Sequence, residues 1–578
     1  MENSPSNPVI SRRDLLALLG VTAAGGYAVT RLNGSSGREG AGYVDGLRDD
    51  DAPTILSYRA EPDQYGSVLS VSMQGRDNKE LGEAAVMYGD QRLEKTPDGK
   101  TVTLQGKLEP DEDTKDPDRV AYLLQDEAGN QTRKEAYPDQ DAPELAVKTS
   151  ATENAGELEL LLEGRDDIGL QELTAVLNGE TALERNVSKA EKAAIDTILT
   201  EENVAAIQPF QKNTIKGTAR DQYDNKTEKT VEQYVRKYDK MEDTRLDIGA
   251  VYISQQGNGF RQRCRESYEG TEPAVGIYDE DPIPTDVTTR HIDQMTGHGI
   301  NRLVFDYAGW PREEDRVYSL MDSHLIDQIT VEPFLVKMPF IRNMSRSWKD
   351  EIMPRDLPPL RDHFLSRDNA ATIDGRPVVS TWSFSHFVYD PESKTKIMDE
   401  FGSYEAFVDD MRSHLRVDGT DPFLIVGKGP YHLQDGGKLH ELVRHFDGLT
   451  TWFPGGEWRN GEDESWEEII NRVEGYFENN HQYATDHGME FVPKVFPGYD
   501  EDGDGCNREG NRHIPRSPDR FRQLLDLAEQ YTTGEDRIDI ATWNGWVEGH
   551  HIEPGTFKGN NYGAEYVEAV REFQSDSP

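Results

Sequence analysis

Thr542–Thr556 reads TWNGWVEGHHIEPGT and gathers Trp543, Trp546, Glu548, His550, His551 and Glu553 into fifteen residues. A carboxylic acid in a pocket of low polarity can hold its proton near neutrality and act as a general acid. Indole rings pack against the CH faces of sugars, and carboxylates bind hydroxyls or cleave glycosidic bonds. Chemistry on a glycan is therefore the reading of this stretch. A metal is the competing one, because His550, His551 and Glu553 are ligand types. Adjacent histidines on extended backbone face opposite sides and seldom share an ion, so no metal is expected here.

Something must hold these side chains in place. The apolar run Ile538–Ala541 leads into the stretch, and seven similar runs precede it: GAVYIS from Gly249, RLVFDY from Arg302, VEPFLV from Val331, PVVSTW from Pro377, PFLIVG from Pro422, GLTTWF from Gly448 and FVPKVF from Phe491. Amphipathic stretches such as YEAFVDDMRSHL and RFRQLLDLAEQY lie between them. Eight strands alternating with helices predict a (β/α)8 TIM-type barrel over residues 245–578. An open doubly wound sheet is the alternative, but no glycine-rich loop follows an early strand, so neither a dinucleotide site nor any cofactor is expected. In a barrel the chemistry sits at the C-terminal strand ends. That rule places the carboxylates Glu548 and Asp306 at the barrel mouth. It makes Tyr252, Trp310, Tyr499, Trp543, Asn544, Trp546, His550 and Glu553 the candidates for contact with substrate, with Tyr307, Trp382 and Trp452 at further strand ends. For each aromatic, plain barrel core is the competing role.

The whole chain has 578 residues and a formal charge of −45, with 108 acidic against 63 basic residues. All eight tryptophans lie in its C-terminal half, and the acidic residues are spread among strand-like runs and not collected in a tail. This pattern suits a folded protein adapted to high salt, where the Debye length falls to about 3 Å and self-repulsion is screened. Nucleic acid is excluded as a partner by charge. Near the N-terminus, Arg12 and Arg13 precede an apolar segment from Leu15 to about Val29, then a Gly/Ser-rich linker. Residues 1–50 thus read as a twin-arginine-type export signal and linker, placing the protein outside the cell or on its surface; left uncleaved, the segment would tether it to the membrane. A short buried helix capped by Ser11 is the alternative. Cys264 and Cys506 fall after the first and seventh barrel strands, on one face of the barrel, and are expected to pair.

Residues 52 to about 240 repeat with a period near 90 residues. APTILSYRA and GRDNKELGEAAVMYGD in the first copy answer to APELAVKTS and GRDDIGLQELTAVLNGE in the second, and DEAGNQTRK to DQYDNKTEK. Alternating runs bounded by turn residues predict two immunoglobulin-like β-sandwiches, over residues 51–141 and 142–240. Ser188–Ala206 reads as a helical insertion in the second.

The C-terminal half resembles glycoside hydrolase family 99, the endo-α-mannosidases and endo-mannanases, with their wider WbsX-like relatives. HIDQMTGHGINRLVFDYAGWP from His291, FVPKVFPGYD from Phe491 and WNGWVEGHHIEP from Trp543 carry the resemblance, over about residues 247–575. It implies a retaining enzyme that cuts internal α-mannosidic bonds, with Glu548 as general acid/base and Tyr499 in the family's Pro-Gly-Tyr. The family's other glutamate, which assists the substrate's 2-hydroxyl, falls on Gly545. Three outcomes stay open. Asp306 supplies the second carboxylate, across the wider gap of about 6.5–9.5 Å used by inverting enzymes. Glu553 supplies it. Or the barrel binds surface polysaccharide or N-glycan without cutting it, or trims polysaccharide during assembly. The acidic run Asp500–Gly505 lacks the glutamate of a calcium loop at its twelfth position, Asn511, and reads as chance. Asn130, Asn186, Asn225 and Asn343 lie in glycosylation sequons.

Overall fold

The computed structural model describes residues 51–62, 68–109, 119–136, 142–221, 224–254, 271–278, 280–428, 433–452, 465–500 and 513–576. The twin-arginine segment, Cys264 and Cys506 with their expected pairing, and the acidic loop from residue 501 lie outside these.

Two antiparallel sheets form the first repeat. One runs Thr54–Pro62, Leu69–Arg76, Thr101–Leu108; the other runs Gln91–Lys95, Leu81–Tyr88, Val120–Asp126, Gln131–Ala136. Alternation places Leu69, Val71 and Met73 of one sheet against Val86, Tyr122 and Leu124 of the other in a single apolar core. The second repeat reproduces this connectivity with longer strands. The first half of Glu157–Leu177 pairs with Glu144–Ala151 and with the end of Glu180–Thr200. Its second half pairs with the start of Glu180–Thr200 and with Gln211–Asp221, which in turn pairs with Lys226–Val235. Each long strand therefore passes through both layers.

The repeated turn motif closes in the same way in both copies. Asn130 donates its backbone N–H and its side-chain amide to the two carboxylate oxygens of Asp126, each at 2.7 Å. Asn225 does the same to Asp221, at 2.9 and 2.8 Å. These two sequon asparagines thus hold a hairpin end, the turn chemistry their residue type favours. The helix expected over Ser188–Ala206 is absent. Lys192–Thr200 pairs residue for residue with Arg165–Glu157, and this ladder outweighs the helical preference of its alanines, glutamate and lysine.

The eight predicted barrel strands are all present: β1 (Asp247–Tyr252), β2 (Arg302–Tyr307), β3 (Thr330–Val336), β4 (Arg376–Trp382), β5 (Phe423–Lys428), β6 (Gly448–Thr451), β7 (Glu490–Val492 and Lys494–Val495) and β8 (Arg537–Ile540). Every neighbouring pair is parallel. Pro493 interrupts β7, as a residue without an N–H must; the part before it pairs with β6 and the part after it with β8, which brings the ring round to β1. Helices α1 (Thr285–Gly297), α2 (Tyr404–Leu415), α3 (Trp466–His487), α4 (Pro518–Glu529) and α5 (Glu565–Ser575) lie along the strands. Ser465 and Glu468 form a capping box at the start of α3.

The barrel floor is charged. Arg302 pairs with Asp247, Glu332 and Asp539; Arg537 pairs with Asp247 and Glu332; Lys494 lies 3.1 Å from Asp539. Three cations thus face three carboxylates, which is how buried charge becomes tolerable. Above them, inward alternation stacks Val251, Val304 and Phe334, then Trp382 and Trp452. The second β-unit is bound to the barrel through α1. Buried Asp293 accepts from the Tyr234 hydroxyl at 2.9 Å and the Lys237 N–H at 2.7 Å, and lies 3.4 Å from buried Arg236.

Candidate functional site

The β8 strand ends at Ile540, and the chain then folds back on β1. Trp543 donates its N–H to the Val251 carbonyl at 2.8 Å. Asn544 pairs with Ile253 through both ends of its amide, at 2.8 and 3.1 Å. Trp546–Glu548 makes a short 3-10 turn closed by left-handed Gly549. This path carries Glu548 to the C-terminal end of the barrel, where its side chain keeps 29% of its exposure.

Glu548 accepts from His550 Nε2 at 2.9 Å. The His550 ring stacks on Tyr499, centroids 6.0 Å apart, and meets the edge of Trp452 at 6.3 Å. Trp452 stacks on Phe334 and meets Trp382 edge to face at 5.6 Å, and Trp382 and Trp452 are both half-buried. Lys337, from the end of β3, lies 5.9 Å over the Trp382 ring. A carboxylate thus sits at the edge of an aromatic cluster contributed by β3, β4, β6, the segment after β7 and the segment after β8, in which Trp382 and Trp452 are part-exposed and Phe334, Tyr499 and His550 are buried.

Gly545, at φ −76°, needs no special backbone freedom; its requirement is space. A Cβ there would stand 2.3 Å from Thr542 Oγ1 and 2.5 Å from His550 Cε1. The volume that a side chain at this position would use is therefore filled by a hydroxyl and an imidazole. Gly545 also donates its N–H to Thr542 Oγ1 at 2.7 Å.

Several residues expected to face substrate lie instead beneath the surface. Glu553 is fully buried: it accepts from Trp546 Nε1 at 2.7 Å, the Tyr278 hydroxyl at 2.5 Å and His291 Nε2 at 2.9 Å. His291 takes the Tyr252 hydroxyl on its other nitrogen, at 3.0 Å. Tyr252, Trp543, Asn544, Trp546 and Glu553 are all buried and make a foundation between the barrel and α1, because the chain returns over β1 and does not project outward; Tyr499 and His550, also expected to face substrate, are buried as well. Burial and the neighbouring Glu553 hold the Tyr278 hydroxyl well above its ordinary range. The two adjacent histidines do face apart. His551 stacks on Trp546 at 3.5 Å, opposite to His550, and burial drives its pKa well down.

Asp306, on the inward face of β2, has one carboxylate oxygen with no hydrogen-bond partner among the described residues. Burial and then the charge of Glu313 raise its pKa to about 7, against the pull of Arg316 and Arg342. Glu313 is buried, bonded to Ser254 at 3.0 Å and paired with Arg316 at 2.7 Å. Tyr307 turns away from the mouth and donates to the Asp356 carbonyl; Trp310, half-buried, stacks on His363 at 5.7 Å. The Glu313–Arg316 pair and Lys337 were not singled out from the sequence. Lys337 carried the signal of charge immediately after a strand end, whereas Glu313 and Arg316 lie at the following helix, Glu314–Met321.

No family model matches the chain, and no curated protein matches it. Among solved structures it is similar to a glycoside hydrolase-like protein at 16% identity and a TM-score of 0.44, covering 58% of this chain and 96% of that one. It is similar to the GH99 endo-alpha-mannosidase from Bacteroides thetaiotaomicron at 17% identity and a TM-score of 0.40, covering 57% and 97%. It is also similar to a Bacteroides ovatus GH5 xyloglucanase at 10% identity and a TM-score of 0.33, covering 74% and 99%. At these identities and TM-scores none of the three assigns a residue role to this chain.

Proposed function

We propose that this protein is a glycoside hydrolase-like carbohydrate-active protein whose barrel mouth takes a mannose-containing or other surface polysaccharide or N-glycan. One observation carries the reading: the part-exposed Glu548 is held by His550 at the rim of the Tyr499–Trp452–Trp382 cluster. Aromatic faces of this kind suit sugar rings, and the carboxylate reaches the glycosidic oxygen or a hydroxyl. Glu548 is the general acid/base. Asp306 is the second carboxylate, its raised pKa leaving it protonated below about pH 7. Half-buried Trp310 adds to the sugar-facing Trp382 and Trp452, while Tyr499 and His550 are buried behind them and support Glu548.

A second reading, binding without cleavage, is favoured by Gly545, where Thr542 and His550 leave no room for a carboxylate. We further read the two β-units as immunoglobulin-like spacers, the four-part division of the chain as 1–50, 51–141, 142–240 and 245–578, and the destination as the cell surface by a twin-arginine-type route. Oligosaccharide binding and cleavage by wild type and Glu548→Gln separate the readings. Cleavage lost with binding kept supports the hydrolase. Binding alone in both proteins supports the second reading. Neither binding nor cleavage in wild type rejects both.

A further inference from the structure

We propose that Asp435, His440 and His487 form a binding site for a divalent transition-metal ion of the zinc type, separate from the barrel mouth, which braces the segment after β5 against the end of α3. The three ligand atoms lie within 4.8 Å of one another. His487 is the last residue of α3, and its Nδ1 lies 2.8 Å from the Tyr483 carbonyl one turn back. That bond fixes the proton on Nδ1 and leaves Nε2 as the lone-pair nitrogen of the neutral ring. Nε2 points at Asp435 Oδ1 across 3.1 Å. A lone pair and a carboxylate oxygen at that distance repel unless a cation or a proton lies between them. The Asp435 side chain is 76% exposed, so an ion pair with a protonated ring would be weakly held.

His440 comes from a different element, the short helix His440–Val443, and its Nδ1 is 3.7 Å from the same Asp435 oxygen. It now meets the Tyr483 hydroxyl at 2.8 Å. Ion binding at His440 requires this hydroxyl to give up its contact with Nδ1 and turn away. Zinc bonds of about 2.0–2.2 Å set ligand-to-ligand edges of about 3.3 Å in a tetrahedron. The edges of 3.1 and 3.7 Å bracket that value. Two imidazoles and one carboxylate match a borderline ion, not calcium or magnesium, and leave a coordination position for water. The α3 ring is further oriented by Tyr483, stacked on it at 4.2 Å.

The test uses the full chain stripped with chelator. Zinc titration by calorimetry, thermal melting with and without zinc, and the visible absorption of a Co(II)-loaded sample are the readouts. Wild type is expected to bind one zinc per chain, to melt higher with it, and to give Co(II) bands of a low-coordinate site. His440→Ala and His487→Ala should each bind at least tenfold more weakly, whereas His481→Ala, elsewhere on α3, should bind as wild type does. Asp435→Asn, at an exposed position, keeps the test decisive if either histidine variant fails to fold; it too should lose at least tenfold. Wild type that takes up no zinc, or variants at all three positions that bind it equally well, would overturn the proposal.

Discussion

Gly545→Ala is expected to destabilise the barrel and, like Gly545→Glu, to confer no hydrolytic gain. The new methyl would stand 2.3 Å from Thr542 Oγ1, 2.5 Å from His550 Cε1 and 2.7 Å from His550 Nδ1. Neither neighbour is free to yield. Thr542 accepts the Gly545 N–H at 2.7 Å, and the His550 ring is held by Glu548 and stacked on Tyr499. Overpacking of this kind costs about 1–3 kcal/mol, and weakening the Thr542 hydrogen bond adds about 1 kcal/mol. The expected loss is therefore about 2–4 kcal/mol, a fall of several degrees in the barrel's melting transition. A double-mutant cycle with His550→Ala isolates the cause. Without the ring, the alanine at position 545 should cost at least about 1 kcal/mol less, with the remainder due to Thr542. Denaturant melts of the four proteins provide the numbers. If Gly545→Ala is as stable as wild type, or if the two substitutions are additive, the packing account of this glycine is wrong.

Further expectations concern the groups around the site. Glu553→Ala strands the donors of Trp546, Tyr278 and His291, and should cost about 3–5 kcal/mol in denaturant melts, far more than a surface glutamate would. Lys494→Met leaves three carboxylates facing two cations on the barrel floor and should lose about 3–5 kcal/mol by the same measurement. Asp306 holds its proton in the folded state up to about pH 7 but releases it near pH 4 when unfolded, so the native state binds more protons between those values. Wild type should therefore lose stability relative to Asp306→Asn as pH rises from about 4 to 7 and level off above, and a difference independent of pH would contradict this. With a charge of −45, the melting temperature should rise with added salt, and a flat or falling dependence would count against salt adaptation.

The barrel was legible because its strands are short apolar runs separated by helical stretches, and all eight are present, although the division of β7 at Pro493 was not foreseen. The repeat was legible from its turns, since Asp126 with Asn130 and Asp221 with Asn225 build the same structure. The false helix at Ser188–Ala206 came from local propensity in a segment whose partner, Glu157–Leu177, lies outside any short window. The charged floor was visible only as isolated charges inside apolar strands, Arg302, Glu332, Lys494 and Asp539, and which of them meet depends on ring closure. For the same reason the sequence pointed to Trp543–Glu553 as a unit but could not divide it. The backbone returns over β1, so Glu548 comes to the barrel mouth while His550 packs behind it and Trp543, Asn544, Trp546 and Glu553 become its support. The filling of the space at Gly545 by His550 is likewise a contact made in three dimensions.

The rate of glycan cleavage by wild type against Glu548→Gln, measured on the same oligosaccharide panel with binding followed in parallel, tests the central claim most directly. Loss of an essential acid–base carboxylate lowers turnover by orders of magnitude. The account predicts cleavage of mannose-containing or surface-polysaccharide oligosaccharides by wild type, a fall of at least about a hundredfold in Glu548→Gln, and binding changed by less than about threefold. Cleavage by Glu548→Gln at the wild-type rate would contradict it and place the acid elsewhere.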